Sequence, residues 1–361
     1  MGAPRVQSAN LGLIEGFYGR PWTAKARADA IAFLKPHGYG FYIYAPKADS
    51  FLRRRWRDPF PDDQAQALAA LAAECVLRGV RFGVGLSPFE LYRAFDPAAK
   101  ADLARKLAEL DAIGVTDLAI LFDDMRGDLP GLASAQVAIM DWIAGRSGAA
   151  RFILCPTYYS DDPVLDRFFG ERPARYLEAV GADLDAAIDM FWTGEEVCSR
   201  AYGTAHLERV AAALRRKPVI WDNYPVNDGP VMSRSLHLRA FTGRDAAMAG
   251  LVRAHAVNPA SQPVLSRIPA LTLAESYAMG RSYDYGASFE RAAEQVLGPE
   301  LAAQVRVDLS QLQDSGLDRL GDATKTRLRA RYAAFDHPAA REIVAWLDGD
   351  WTITREEMAA S

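Results

Sequence analysis

Short runs of apolar residues alternate along this chain with longer segments in which apolar residues recur every three or four positions. The short runs predict β-strands over 11–14, 39–44, 80–86, 117–122, 151–155, 186–192, 218–221 and 247–257. The longer segments predict helices over 24–34, 63–78, 97–113, 133–144, 173–180, 204–215 and 268–279. Eight strands that alternate with helices over this length of chain predict an α/β fold, a (β/α)8 TIM-type barrel.

A doubly wound α/β sheet is the alternative architecture. Such a sheet usually carries a glycine-rich turn after its first strand, where a dinucleotide binds. Here the first strand is followed by Gly16-Phe17-Tyr18-Gly19, which does not match GxGxxG. The sequence therefore predicts no dinucleotide cofactor and favours the barrel.

Composition and charge exclude several classes of partner. The chain has 361 residues, 50% hydrophobic and 24% charged, with a formal net charge of −4. These values are ordinary for a soluble globular protein and give no reason to expect nucleic acid or a membrane as partner. The three cysteines, Cys75, Cys155 and Cys198, and the five histidines lack metal-type spacing, so neither a metal nor any other cofactor is predicted.

The chain ends and the cysteine content predict a location. No basic segment followed by an apolar run opens the sequence, and no apolar stretch is long enough to cross a bilayer. Few cysteines without a disulfide pattern fit a reducing compartment. A cytoplasmic protein is predicted, and the sequence indicates no oligomeric state.

Two adjacent carboxylates are the most informative local feature. Asp123 and Asp124 directly follow an apolar run, residues 118–122. The chain has two other such pairs, but Asp62-Asp63 opens a predicted helix and Asp161-Asp162 lies in a polar loop. A buried strand that ends on two acids indicates either a ligand site or a structural cap, and the pair alone does not decide between them.

Polar and aromatic residues recur at the ends of the other predicted strands. The set comprises Glu15, Tyr18, Lys47, Ser87, Asp123, Asp124, Thr157, Tyr159, Trp192, Trp221, Asn223, Asn227, Asp228 and Asn258. In a barrel these positions share the face that carries the active site. Aromatic rings beside hydroxyl, amide and carboxylate groups suit a sugar, whose C–H faces stack on rings while its hydroxyls form hydrogen bonds.

A series of short motifs resembles one known family. In order along the chain these are EGFYGRPW at 15–22, YAPK at 44–47, FDD at 122–124, CPT at 155–157, WTG at 192–194 and WDNYPVND at 221–228. Together they resemble the catalytic domain of the glycoside hydrolase family 84 β-N-acetylglucosaminidases, the O-GlcNAcases. The resemblance extends from about residue 11 to residue 279. It implies a retaining hydrolysis of terminal β-linked GlcNAc in which the 2-acetamido oxygen of the substrate is the nucleophile.

The resemblance also implies roles for individual residues. Asp123 would orient the acetamide and stabilise the oxazolinium charge, and Asp124 would be the general acid and then the base. A carboxylate so close to another resists ionisation, which favours keeping one of the two protonated. The implied substrate-binding residues are Gly16, Phe17, Tyr18, Lys47, Cys155, Tyr159, Val197, Trp221, Asn223, Asp228 and Asn258.

Four of the residues named above also have a purely structural interpretation. Cys155 and Phe17 could be simple packing at the barrel end, and Trp192 is interpreted as a packing residue. Lys47 could instead form a structural ion pair with Glu15 or Asp49.

The C-terminal part of the chain departs from the larger family members, which carry a long helical stalk. Here the sequence predicts short helices over 288–297, 299–312, 324–335, 338–347 and from 354 onward, with Thr354 and Glu357 at capping-box spacing. The predicted domains are a catalytic barrel over 8–282 and a small helical region over 283–361. Whether that region forms part of the substrate groove is open.

Three functions remain open from the sequence. An exo-β-N-acetylglucosaminidase is favoured, acting on Ser/Thr-linked GlcNAc of proteins or on small glycans and cell-wall fragments. A non-catalytic GlcNAc-binding barrel is the second. A metal-dependent barrel hydrolase that uses Asp123, Asp124 and Asp228 is the third.

Overall fold

Eight parallel strands close into a barrel in the computed structural model, which describes residues 9–360. The strands are β1 Leu11–Glu15, β2 Tyr39–Tyr44, β3 Arg81–Leu86, β4 Asp117–Leu121, β5 Arg151–Cys155, β6 Asp189–Trp192, β7 Val219–Asp222 and β8 Ala254–Val257. Each strand pairs with its neighbours in sequence, and β1 pairs with β8 to close the barrel. The predicted (β/α)8 barrel is confirmed, and the doubly wound sheet is wrong.

Helices surround the barrel and continue beyond it. Around the barrel lie α1 Ala24–Leu34, α2 Asp62–Leu77, α3 Pro97–Ile113, α4 Leu132–Ala144, α5 Val164–Phe169, α6 Tyr176–Asp183, α7 Thr204–Leu214, α8 Gly229–Met232 and α9 Arg267–Met279. After them come α10 Tyr285–Leu297, α11 Pro299–Leu309, α12 Gly316–Arg319, α13 Asp322–Ala333, α14 Pro338–Leu347 and α15 Arg355–Ala360. Within the described part of the chain, no helix is long and apolar enough to span a membrane. Residues 1–8 lie outside the described residues. The predicted start of the barrel domain, at residue 8, and most of the N-terminal segment considered as a possible secretory signal fall in this stretch.

Three predicted elements differ from the structure. The predicted last strand 247–257 is a 3-10 helix, Ala246–Gly250, followed by β8. Asp245 caps that helix by accepting the N–H of Ala247 at 2.8 Å, so a local side-chain bond replaces strand pairing there. The predicted helix 173–180 begins later, as α6, after an unpredicted α5. The predicted helix 299–312 ends at Leu309, where a π-helical turn follows.

The C-terminal helices pack against the barrel. The Glu342 carboxylate in α14 accepts the N–H groups of Val264 and Leu265, both at 2.9 Å, just before α9. Trp346 is fully buried and its indole donates to the carbonyl of Ser233 at 3.2 Å. The predicted capping box forms between Thr354 and Glu357. The helical region therefore packs against the loops after β7 and β8. The predicted domain boundary at residue 282 stays a prediction.

A buried ion pair at the end of β7 fixes the loops on that side of the barrel. Asp222 is fully buried and accepts two hydrogen bonds from Arg244, at 2.8 and 2.6 Å, and lies 2.9 Å from His255 Nε2. Burial raises the pKa of Asp222, but the Arg244 charge and the hydrogen bonds from His255 and Arg244 together outweigh it, so the net pKa is lowered. Arg244 also donates to the carbonyl of Ser199 at 2.8 Å, so it ties the loop after β6 to β7.

We expect Arg244→Met to lower the free energy of unfolding by about 3–5 kcal/mol, because it leaves the Asp222 charge buried without its cation. Urea unfolding followed by circular dichroism measures this. The matched control is Arg341→Met, since Arg341 is 64% exposed and pairs with the fully exposed Asp336. That change should alter stability by less than about 1 kcal/mol. Equal effects of the two substitutions would contradict the structural role of the buried pair.

Candidate active site

One large cavity opens at the carboxyl ends of the strands, with a volume of about 920 Å³. Of the site residues predicted from sequence, all but one line it: Gly16, Tyr18, Lys47, Asp123, Asp124, Cys155, Tyr159, Val197, Trp221, Asn223, Asp228 and Asn258. They come from segments spread along most of the chain. The barrel topology brings them together because all parallel strands end at the same face.

Phe17 is the exception. It is fully buried, and its ring lies 6.1 Å from the ring of Trp22, measured between centroids. It is absent from the cavity lining, which agrees with the packing interpretation of its side chain, and its part in substrate binding stays a prediction. Its backbone still matters, because its carbonyl accepts the N–H of Lys47 at 3.1 Å and so joins the two loops that carry Tyr18 and Lys47.

Lys47 bridges the two adjacent carboxylates. Its ammonium forms a hydrogen-bonded ion pair with Asp123 and lies 3.0 Å from Asp124 Oδ2. Lys47 and Asp123 are each about 5% exposed. Asp123 uses only one carboxylate oxygen in this pair, since its buried Oδ1 has no hydrogen-bond partner within the described residues. An unpaired buried acceptor is costly and is free to receive a donor from a ligand.

Asp124 is held in an unusual backbone conformation. Its φ is +57°, in the left-handed region that a non-glycine residue rarely adopts. Its Oδ2 accepts the Tyr18 hydroxyl at 2.7 Å, and the Arg53 guanidinium lies 3.4 Å from both its carbonyl oxygen and the Tyr18 hydroxyl. This conformation turns Asp124 toward Tyr18 and Lys47 instead of letting it alternate with Asp123 as in a regular strand.

The two carboxylates differ in their affinity for a proton. Burial raises the pKa of Asp123, and the Lys47 charge only partly offsets it. Burial also raises the pKa of Asp124, but Lys47, Arg53 and the Tyr18 hydroxyl together outweigh it and lower the net pKa. The surroundings of the ligand-free site therefore favour the ionised form of Asp124 more than that of Asp123.

Amide and carboxylate groups form the wall opposite this pair. Asn258 Oδ1 accepts the N–H of Gly16 at 3.2 Å, and its Nδ2 donates to Asn223 Oδ1 at 2.9 Å. Asn223 Nδ2 donates in turn to the carbonyl of Val197 at 2.8 Å. Asp228 accepts the N–H of Tyr18 at 2.9 Å, and burial raises its pKa to about 6. The chain of bonds fixes the wall in one arrangement.

Trp221 and Gly16 make a close contact that shapes the floor. A Cβ atom on Gly16 would lie 2.3 Å from the Trp221 ring, so only glycine fits there. The Trp221 ring packs edge-on against Phe191, with centroids 5.2 Å apart. Cys155 lies at the end of β5 beside this floor and is buried, which raises the pKa of its thiol.

The alternative ion pairs predicted for Lys47 are wrong. Glu15 pairs with Arg27, whose Nε donates to it at 2.7 Å, and Asp49 accepts the hydroxyl of Tyr44 at 2.8 Å. Trp192 is fully buried and donates to the ring of His206 at 3.0 Å, so the packing interpretation holds. Among residues 9–360, no three His, Cys, Asp or Glu side chains are grouped as metal ligands.

Comparison with known proteins decides the family. A family model described as beta-N-acetylglucosaminidase (NAGidase) matches residues 11–310. The chain belongs to the β-N-acetylglucosaminidase family. The resemblance read from the sequence motifs is thereby confirmed, and the family is one of glycoside hydrolases.

Relatives of this family member include two mammalian proteins and a solved structure. The "Protein O-GlcNAcase" of Mus musculus and that of Rattus norvegicus are each 30% identical over 275 residues. These alignments cover 74% of this chain but only 30% of each relative, so the chain spans less than a third of their length. A mutant of the Thermobaculum terrenum O-GlcNAc hydrolase superposes with a TM-score of 0.78 at 28% identity, over 94% of this chain and 80% of that one.

Several cavity residues of this family member were missed from the sequence. Arg53 belongs to a basic run, Arg53-Arg54-Arg55, a pattern that is typical of a solvated surface, yet Arg53 is 4% exposed and lines the cavity beside Asp124. The apolar residues at the cavity mouth, among them Phe168, Met232 and Met358, were also missed. They follow no strand directly, so the strand-end rule could not find them.

We expect Gly16→Ala to displace the Trp221 ring and to lower kcat/KM for an aryl β-N-acetylglucosaminide by about 100-fold, since a displacement of about 1 Å has that effect. Steady-state kinetics measure this. The control is Gly203→Ala, because a Cβ atom at Gly203 meets nothing within 4 Å. Unchanged kinetics in Gly16→Ala would show that this contact does not shape the site.

Proposed function

We propose that this β-N-acetylglucosaminidase removes terminal β-linked GlcNAc as a retaining exo-enzyme, with the substrate's own 2-acetamido oxygen as nucleophile. The observation that carries the proposal is the buried, unpartnered Oδ1 of Asp123 next to the turned carboxylate of Asp124. One carboxylate is placed to accept an N–H, and its neighbour to exchange a proton.

The positions of the two carboxylates support participation by the substrate. In an ordinary retaining glycosidase the nucleophile and the acid stand about 5 Å apart on opposite sides of the scissile bond. Here Asp123 and Asp124 are adjacent in the chain and contact the same Lys47 ammonium, which supports a placement of both on one side of the sugar. Two carboxylates on one side suit the acetamide N–H and the leaving oxygen, which are neighbours in a β-linked N-acetylglucosaminide.

In the proposed first step, Asp124 donates its proton to the leaving oxygen as the bond from that oxygen to C1 breaks. The acetamide oxygen forms the new bond to C1, and Asp123 accepts a hydrogen bond from the acetamide N–H of the positively charged ring that results. In the second step Asp124 takes a proton from water, which attacks C1 and reopens the ring. Two inversions at C1 give net retention.

We propose that sugar binding shifts a proton from Asp123 to Asp124. The ligand-free site favours a proton on Asp123, whereas the acetamide N–H requires Asp123 as an ionised acceptor. Binding therefore favours transfer of this proton to Asp124. Contact of Lys47 with a sugar hydroxyl would support the transfer, because it weakens the ion pair that keeps Asp124 ionised.

The remaining cavity residues are proposed to bind the sugar. The hydroxyl of Tyr159 would donate to the acetamide oxygen, with Cys155 and Trp221 around the acetyl methyl. The polar groups proposed to contact the sugar hydroxyls and the acetamide are Lys47, Asn223, Asp228, Asn258 and the backbone of Gly16. Tyr18 and Val197 would lie toward the leaving group.

Ser/Thr-linked GlcNAc on proteins is the proposed natural substrate, supported by the names of the mammalian relatives and by the predicted cytoplasmic location. Small glycans or cell-wall fragments are the alternative. Both share the sugar and differ in the leaving group, so the residues around the sugar do not separate them.

We expect Asp124→Asn to lower kcat/KM for an alkyl β-N-acetylglucosaminide by about 10²–10⁴-fold, the contribution of a general acid. An aryl glycoside whose phenolate leaves without protonation should lose much less in the first step. Hydrolysis rates for both glycosides, with and without chelator, measure this. The control is Asp63→Asn, in the exposed acid pair at the start of α2.

Three results would contradict this proposal. Loss of wild-type activity in chelator would indicate the metal-dependent reaction. Wild-type protein that binds GlcNAc without turnover would be a sugar-binding barrel. Turnover of the matching aryl β-glucoside, which lacks the acetamido group, would exclude the substrate as nucleophile.

We expect Arg53→Gln to move the alkaline limb of the kcat/KM profile to higher pH. The general acid must be protonated, so the rate falls as pH rises through its pKa. The titratable groups that act on Asp124 include Lys47, Arg53, Tyr18, Tyr159, Asp123 and Asp228. Removing one cation from this set raises the pKa of Asp124.

The control for this pH profile is Arg55→Gln, because Arg55 is exposed and pairs with Asp58. A uniform loss of rate at every pH, without a shift of the limb, would show that Arg53 only supports the structure.

A further inference from the structure

The loop after β5 carries a carboxylate that the proposed reaction does not use. Asp162 belongs to the adjacent acid pair Asp161-Asp162, which follows Tyr159 in the chain. Its Oδ1 accepts the N–H of Val164 at 2.9 Å, at the start of α5. Its Oδ2 accepts the N–H of Val197 at 3.1 Å, in the loop after β6. The first bond is an ordinary local contact at the start of a helix, but the second bond joins two different loops.

Val197 connects Asp162 to the polar wall of the cavity. The carbonyl of Val197 accepts Nδ2 of Asn223 at 2.8 Å, and Oδ1 of Asn223 accepts Nδ2 of Asn258 at 2.9 Å. Val197 therefore has both of its backbone polar groups occupied, its N–H by Asp162 and its carbonyl by Asn223. Because a hydrogen bond weakens steeply when its geometry is distorted, a displacement of Val197 would release the amide of Asn223.

Other bonds between the two loops lie nearer to the strands. The hydroxyl of Ser160 is buried and donates to the carbonyl of Gly194 at 2.8 Å. Asp162 instead holds Val197, three positions further along the chain than Gly194. Loss of the Asp162 carboxylate should therefore move Val197 while the bases of both loops stay joined.

A carboxylate suits this double contact. Its two oxygens both accept hydrogen bonds, so one side chain holds the N–H groups of Val164 and Val197 at the same time. An asparagine presents one acceptor oxygen instead of two, and the hydroxyl of a serine lies one bond nearer to the backbone. Neither side chain can place an acceptor at both N–H groups, which makes the contact testable by substitution.

We propose that Asp162 is a positioning residue for the polar wall of the active site, and that it acts on Asn223 through the backbone of Val197. This inference rests on the function proposed above, in which Asn223 belongs to the polar groups that bind the sugar. Asp162 itself is absent from the cavity lining. Its effect on the reaction therefore arises from the placement of the Asn223 amide.

The test is Asp162→Ser, which keeps a hydroxyl near the start of α5 and withdraws the acceptor from Val197. We expect kcat/KM for an aryl β-N-acetylglucosaminide to fall about tenfold, less than the roughly 100-fold effect of a full 1 Å misplacement. The matched control is Asp161→Ser, because Asp161 is 37% exposed and pairs with Arg209 at 2.9 Å. That change should alter kcat/KM by less than about twofold, since an exposed ion pair contributes little.

A double-mutant cycle with Asn223→Ala separates positioning from a general structural effect. If Asp162 acts through Asn223, Asp162→Ser should lower kcat/KM by less than about twofold in the Asn223→Ala background, because both changes remove the same contact. A merely structural role would give the same tenfold loss in both backgrounds. If circular dichroism shows that Asp162→Ser does not fold, Asp162→Asn replaces it in the cycle, with an expected loss of about threefold from one weakened hydrogen bond.

An unchanged kcat/KM in Asp162→Ser, or a loss that persists in full in the Asn223→Ala background, would overturn this inference. Wild-type protein would hydrolyse the aryl glycoside in both cases, so the proposed function would stand. Absence of hydrolysis by the wild type would instead overturn the proposed function together with the inference.

Discussion

The burial of two adjacent carboxylates with a single bridging ammonium is the constraint on which this site depends. Asp123 follows β4, Lys47 follows β2 and Tyr18 follows β1, so their contacts require three strands in fixed relative positions. A buried charge without its partner is strongly destabilising. The closed barrel meets the requirement because hydrogen-bonded pairing sets the register of every strand against its neighbours. The pairing of the buried charges therefore depends on the closure of the barrel.

Rigidity and adaptability are divided between the floor and the mouth of the cavity. On the wall next to the floor, Asn223, Asn258 and Asp228 are each bonded to backbone groups or to one another, and Arg244 anchors the loop after β6. Such preorganised polar groups fix the orientation of a bound sugar. At the mouth, contacts are made by methionine and phenylalanine side chains, which can fit leaving groups of different shapes.

The sequence predicts the barrel and most of the floor because both follow local rules. Apolar runs alternate with helical segments, and residues just after a strand lie on the active face. The inward turn of Arg53 follows no such rule, since neighbouring Arg54 and Arg55 carry the same charge and only tertiary packing selects one of them. The position of Met358 could not be predicted for the same reason, since it reaches the cavity from the far end of the chain. The 3-10 helix before β8 was also not predicted, because it depends on the Asp245 cap. The left-handed backbone of Asp124 is also set by its surroundings.

Lys47 has opposing effects on the proposed reaction. Its charge makes burial of Asp123 and Asp124 possible, yet the same charge lowers the pKa of Asp124, which must be protonated to release the leaving group. The conflict is resolved if the bound sugar changes the relative pKa values of Asp123 and Asp124. Its acetamide N–H would stabilise the negative charge on Asp123, and its hydroxyls would engage Lys47. A ligand without the acetamide would leave the proton on Asp123. In the proposed reaction the acetamide therefore has two roles, since it supplies the nucleophile and favours a proton on Asp124.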